Sequence, residues 1–263
     1  YSYPQALAFL VRAYNTLAVS GAHGKSTTTA ILGSILIKAN LNPLVLVGTR
    51  VPAFKNSNIY IGNIPNYSLE KMFLENSYGI ISNPEFFVLE ADEWKGSFLN
   101  YEPYALIITN IDREHLDYYK NLNNVKKAYL QLVSQIRLGG VLLVNKDNEV
   151  LQSLEKKLKI VRDQRQLKYL EYTVHSPIYK EIKKILKIPG EYNISNAIAA
   201  YTLAAFLGVK KGVALKAIRE FKGTWRRMEY KGSFYNAKVF DDYAHHPTEI
   251  MATLGGARDV LGK

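Results

Sequence analysis

The hydrophobic pattern alternates between two kinds of segment. Residues 4–15 place Ala6, Leu7, Leu10, Val11 and Tyr14 at helical spacing, which predicts a helix. Leu17-Ala18-Val19 is a short apolar run that reads as a strand, and Ala30 to Ile37 continues as a helix. Leu44 to Gly48, Phe86 to Glu90, Tyr104 to Asn110 and Val141 to Asn145 are apolar runs of buried-strand type. Residues 51–67, rich in Asn, Pro and Gly, read as an irregular loop. An amphipathic helix is expected over 121–137, stopped by Gly139-Gly140. Residues 148–187 are helical, basic and hard to divide. Asn193–Leu207 is an Ala-rich helix and Val213–Phe221 another; Met228 to Phe240 reads as a hairpin, and 247–261 starts a further helix. Strands that alternate with helices predict an α/β fold with a doubly wound, mostly parallel sheet. In such sheets ligands bind beyond the carboxyl ends of the strands, so the polar residues there are where chemistry is sought.

The first such end is Ser20-Gly21-Ala22-His23-Gly24-Lys25-Ser26-Thr27. Glycines let a backbone approach an anion, and the helix that follows turns its positive N-terminus to the same anion. Lys25 can reach a terminal phosphate and the Ser26 hydroxyl can ligate Mg²⁺. The general G-x-x-x-x-G-K-[ST] pattern asks for glycine at position 19, where this chain has Val19. A chance Gly-Lys-Ser turn is the bland alternative, and the strand before and helix after weigh against it.

Composition narrows the class. At 263 residues and 48% hydrophobic content the chain can hold a packed α/β domain with room for part of another. It has no cysteine, which removes disulfides, thiol nucleophiles and zinc–thiolate sites. No run is long and apolar enough to cross a membrane, and Tyr1-Ser2-Tyr3-Pro4 is no signal peptide, so a cytoplasmic location and no membrane partner are expected. The missing initiator Met suggests a chain that starts mid-protein. The net charge of +11 is spread along helical runs such as Lys156-Lys157-Leu158-Lys159. These read as solvated faces rather than a nucleic-acid reader, while a nucleotide would still welcome the charge.

Other strand ends carry candidate groups. Glu90, in Glu90-Ala91-Asp92-Glu93, can face Mg²⁺ beside a phosphate loop; a turn acid or helix cap is the alternative. His115, within Thr109 to Asp117, can meet a metal or phosphate, or cap a helix. Asn193 and Asn196 lie three apart and suit an adenine edge, or cap their helix. Arg226-Arg227 can fork a phosphate or lie on the surface. Asp241-Asp242-Tyr243-Ala244-His245-His246-Pro247-Thr248-Glu249 is the densest polar cluster: an acid can hold ribose hydroxyls and a His an anionic substrate.

In this order the segments resemble the Mur ligases, ATP-dependent amide-forming enzymes of peptidoglycan precursor synthesis. G-A-H-G-K-S-T-T-T is similar to the family's G-T-H-G-K-T-T-T, including the shortened glycine pattern. E-A-D-E, T-N-I-D-x-E-H-L-D, P-G-x-x-N-x-x-N-A, G-x-x-R-R and D-D-Y-A-H-H-P-T-E follow in family order. The resemblance implies a central ATPase domain over 1–227 and the start of a Rossmann-like C-terminal domain over 228–263, with the UDP-sugar domain absent. It implies that Gly21, Ala22, His23, Gly24, Lys25, Ser26 and Thr27 hold the phosphates of ATP, and that Ser26, Glu90 and His115 place Mg²⁺. It implies that Asn193 and Asn196 meet adenine, that Asp241 or Asp242 meets ribose, and that Arg227 touches phosphate. Tyr243 and His245 would lie near the incoming amino acid, and Lys25, Glu90, His115 and His245 would carry catalysis. The motif forms look most like the member that joins L-alanine to UDP-N-acetylmuramate through an acyl phosphate. A tripeptide-recycling or folylpolyglutamate-type ligase, or a non-catalytic ATP-binding fragment, are the alternatives. Two departures stand out: Tyr192 occupies a place that is usually His, and 148–187 is short for the family. Oligomeric state is not addressed by any of these motifs.

Overall fold

The computed structural model describes residues 1–62 and 86–261. The strands are β1 (Asn15–Ser20), β2 (Leu44–Val51), β3 (Ser57–Ile61), β4 (Phe86–Glu90), β5 (Ala105–Ile108), β6 (Val141–Asn145) and β7 (Lys168–Tyr172). They form one sheet in the order β3-β2-β4-β1-β5-β6-β7. All neighbours are parallel except β3, which returns antiparallel on β2. The doubly wound, mostly parallel sheet is therefore as the apolar runs predict.

The period of two in each strand divides its side chains between two cores. Leu17, Val19, Ala105, Ile107, Val141 and Leu143 face helices α2 (Lys25–Lys38), α8 (Glu191–Phe206) and α9 (Lys211–Glu220). Ala18, Leu106, Ile108, Leu142 and Val144 face α1 (Tyr3–Ala13), α4 (Leu122–Ser134) and α6 (Glu155–Gln164). Short helices α3 (Leu116–Tyr119), α5 (Glu149–Gln152) and α7 (Tyr179–Ile185) fill the connections. Both faces are covered, so the central strands have no polar side to show, and Ile107 is fully buried. Ile107→Ala is expected to cost about 2–5 kcal/mol in urea unfolding, with the m-value unchanged.

Two expectations need correction. The stretch 51–67 is not simply a loop. After a 3₁₀ turn at Pro52–Phe54, Lys55 and Asn56 take left-handed backbone (φ 57° and 59°) and turn the chain back as β3. Its outer position leaves Ile59 and Ile61 exposed, so it lacks the buried-strand signature. Residues 63–67 of that stretch lie outside the described residues. The basic segment 148–187 is not all helix either, for it contains β7, the parallel edge strand on β6. Lys168-Tyr169-Leu170-Glu171-Tyr172 is too polar to read as sheet in isolation.

Beyond Arg227 come β8 (Glu229–Phe234) and β9 (Ala237–Asp241), an antiparallel hairpin as expected. Its two linking residues, Tyr235 and Asn236, both have positive φ (45° and 64°), as a tight hairpin turn requires. Helix α10 (Pro247–Leu261) follows and lies against the start of α8. There a Cβ added to Gly256 would sit 3.3 Å from Gly190 Cα, so the two backbones meet closely.

Candidate functional site

The loop between β1 and α2 lies at the carboxyl edge of the sheet, beside the ends of β4 and β5. Gly21 (φ 139°) and Gly24 (φ 83°) supply the positive φ that the turn needs. The end of β5 props the loop. Asn110 Oδ1 accepts from His23 N–H (2.8 Å), and Asn110 Nδ2 donates to His23 O (2.9 Å). Thr109 Oγ1 donates to the same carbonyl (2.6 Å), and Ala22 N–H donates to Asn110 O (3.2 Å). The Ala22 and His23 amides are thus already committed. The amides that remain for an anion are those of the first turn of α2, at Lys25, Ser26 and Thr27, which have no partner within the helix. No acid sits in that turn to compete.

Lys25 folds back over the loop. Its Nζ donates to Gly21 O (2.7 Å) and Ala22 O (3.2 Å), and pairs with Glu93 at 2.9 Å. Ser26 Oγ donates to Glu90 Oε1 (2.9 Å), and Gly48 N–H donates to Glu90 Oε2. His115, which caps α3 with left-handed backbone, holds Nε2 at 3.7 Å from Glu93. Donor atoms of Asp92, Glu93 and His115 all lie within 4.8 Å of one another. Burial raises Glu93 to about 7, and Lys25 only partly offsets it. Burial likewise lifts Glu90 above the usual carboxylate range despite Gly48 N–H, Lys25 and Ser26. Burial works against the Lys25 charge, yet Glu93, Asp92 and Glu90 outweigh it and raise its pKa. A group of acids held above their ordinary pKa is one that a hard dication would relieve. A hydroxyl, carboxylate oxygens and one imidazole form a donor set that fits Mg²⁺.

A cleft opens from this loop towards α8 and α10. It is lined by His23, Gly24, Ser26 and Thr27 of the loop and by Tyr192, Asn196, Arg227 and Asp242. Asn196 is pressed onto the loop: a Cβ on Gly24 would lie 2.3 Å from its Oδ1. Asn193 is buried and turns away, with Nδ2 donating to Pro189 O (2.6 Å). Asp242 lines the cleft while binding Met228 N–H (2.7 Å), Ala244 N–H (2.8 Å) and Thr253 Oγ1 (3.2 Å). Asp241 instead faces Arg226 (3.3 Å). Tyr243 and His245 are exposed and pack on each other, outside the cleft lining.

Three groups that the motifs contain without singling out emerge in space. Glu93 is the partner of Lys25. Asp112 and Glu249 flank His23, at 3.3 Å from Nε2 and 3.3 Å from Nδ1. Burial alone would raise Glu249, but His23 and Arg227 bring it down to about 2. Burial disfavours the His23 cation, yet Glu249, Glu114 and Asp112 raise its pKa overall.

Comparison with known proteins matches this arrangement to a family. Residues 19–204 match the family described as the Mur ligase middle domain. A UDP-N-acetylmuramate–L-alanine ligase of Aquifex aeolicus is 36% identical over 97% of this chain and 55% of its own length. One of Caldicellulosiruptor bescii is 36% identical over 94% of this chain and 53% of its own. The chain spans about half the length of the curated relatives it matches. The crystal structure of a UDP-N-acetylmuramate–alanine ligase from Thermotoga maritima shares the fold, with a TM-score of 0.72 at 24% identity, covering 99% of this chain and 57% of that one. With its phosphate-type loop, its acidic strand end and a match over residues 19–204, the chain belongs to the Mur ligase middle-domain family.

Proposed function

We propose that this chain supplies the ATP- and Mg²⁺-binding half of a ligase that joins L-alanine to UDP-N-acetylmuramate. The observation that carries the reading is the convergence of Lys25, Ser26, Glu90, Glu93 and His115 at the start of α2. Free helix amides and Lys25 bind the terminal phosphates, and Lys25 leaves its loop carbonyls to do so. Ser26, Glu90 and the Asp92–Glu93–His115 group hold Mg²⁺, which when bound neutralises charge on the phosphate oxygens. Asn196 meets adenine directly, and Asn193 keeps the turn in place through Pro189 O. Arg227 and Asp242, which line the cleft, meet the nucleotide; Asp241, Tyr243 and His245 stand outside that lining, with Tyr243 and His245 left for the incoming amino acid. Residues 228–263 are read as the start of a second domain, and the protein as cytoplasmic. Among the described residues no helix is long and apolar enough to cross a membrane.

Calorimetry tests this reading. MgATP is expected to bind the chain, and EDTA to weaken that binding. With UDP-N-acetylmuramate and alanine added, the chain on its own is expected to release no phosphate. Absence of MgATP binding overturns the nucleotide site. Phosphate release driven by a tripeptide or glutamate rather than alanine reassigns the amine.

A further inference from the structure

His246 has no task in the ligase reading, yet it is drawn into the site. Its ring centroid lies 5.0 Å from that of His23. Asp112 stands between them, with Oδ2 at 3.3 Å from His23 Nε2 and 4.0 Å from His246 Nδ1. Donor atoms of all three residues lie within 4.8 Å of one another. They come from the phosphate loop, the segment after β5 and the residue just before α10, so only the fold assembles them.

The spacing suits a small ion. Tetrahedral ligands at bonds of about 2.0–2.1 Å sit roughly 3.3 Å apart. His23 and Asp112 already meet that spacing, and only His246 has to close in. The outer contacts are those of a ligand set. His23 Nδ1, the nitrogen away from Asp112, faces Glu249 Oε1 at 3.3 Å, and Glu249 is held in turn by Arg227 at 3.4 Å. A carboxylate behind a histidine fixes the ring and makes its other nitrogen a better donor. Asp112 is oriented by Arg113 N–H (2.7 Å) and by Thr248 Oγ1 (3.0 Å). His246 Nδ1 accepts only a long hydrogen bond from Thr248 N–H (3.3 Å), which an ion would replace. Asp112, Glu114 and Glu249 crowd the His23 ring with negative charge, Asp112 also faces His246, and Arg227 is the fixed cation paired with Glu249.

We propose that His23, Asp112 and His246 form a binding site for a divalent transition ion of the zinc class, with its fourth position open to the cleft. Two imidazoles select such an ion over Mg²⁺, whose donors gather instead at Glu90, Glu93 and His115. The ion ties the start of α10 to the phosphate loop. Two of its ligands, His23 and Asp112, also line the cleft, so the ion sits at the cleft's edge, and its binding is read with no nucleotide present.

The test uses the untagged, metal-stripped chain with Zn²⁺ or Co²⁺. With excess Mg²⁺ present to occupy the Asp92–Glu93–His115 group, one ion per chain is expected, with Co²⁺ giving the absorption of a low-coordinate site. Among the 5 histidines, Zn²⁺ is expected to shift the ring signals of His23 and His246 and leave those of His115 and His175 in place. This measurement needs no variant. His246→Ala should weaken Zn²⁺ by about tenfold or more, and Glu249→Gln by about 10- to 100-fold, while His175→Ala, at an exposed position, changes nothing. Shifts at His115 instead, displacement by Mg²⁺, or an unaltered affinity in His246→Ala each overturn the site. MgATP calorimetry on the same chelated sample reads the nucleotide site separately.

Discussion

Lys25→Met is expected both to abolish MgATP binding and to destabilise the fold by about 3–5 kcal/mol, the cost of leaving one partner of a buried ion pair uncompensated. For a chain of this size that is on the order of 10 °C in melting temperature. The stability loss arises at Glu93, whose side chain is 2% exposed and pairs with Lys25 at 2.9 Å. Lys25→Met/Glu93→Gln is therefore expected to recover most of the melting temperature and none of the binding. Equal melting temperatures for the single and double variants would refute the pairing. The effect should also depend on pH. In the folded wild type Glu93 is raised to about 7, mainly by burial, against roughly 4.3 in the unfolded chain. A carboxyl raised on folding binds more protons in the native state, so its contribution to stability falls as pH rises from about 4.3 to about 7. Without Lys25 the native value moves higher still, and the fall continues to higher pH. The gap in melting temperature between wild type and Lys25→Met, measured in EDTA, should therefore be wider above about pH 7 than below it.

Glu93 also marks the limit of what the chain reveals before folding. The central strands were legible because a parallel sheet covered on both faces leaves near-continuous apolar runs, as in Phe86-Phe87-Val88-Leu89. The phosphate loop was legible because its chemistry is local: two glycines, a Lys and a hydroxyl within six residues. The edge strands β3 and β7 were not, since an edge has one solvated side and mixes polar with apolar positions. Within E-A-D-E nothing in the order of residues says which acid meets the loop Lys. That is decided by the 3₁₀ turn starting at Trp94, which holds Glu93 inward, where Tyr119 Oη donates to its carbonyl (2.5 Å). Asn193 and Asn196 read as equals at one helical face, but the close approach of Gly24 selects Asn196 for the loop. Asp112, His246 and Glu249 are 137 residues apart at the extremes (112 to 249) and converge on His23 only once α10 is docked.

Gly21→Ala is expected to cost about 3–5 kcal/mol, combining backbone strain with overpacking, and to remove MgATP binding. At φ 139° an L side chain is strained, and the new Cβ would lie 2.0 Å from Thr109 Oγ1 and 3.0 Å from the Asn110 backbone. Thr109 cannot simply rotate away, because its hydroxyl holds His23 O at 2.6 Å. Relief must come from moving the loop off the end of β5, which takes the first-turn amides of α2 with it. Gly139→Ala is the control. It too has positive φ (72°), but its Cβ would meet nothing within 4 Å. It should cost about 1–2 kcal/mol of strain, less what alanine saves in the unfolded chain, and leave MgATP binding intact. Urea unfolding and calorimetry on the two variants separate strain from contact. If Gly21→Ala proves as mild as Gly139→Ala, the loop moves freely of Thr109 and Asn110, and the support that the end of β5 gives to the phosphate site is not what fixes it.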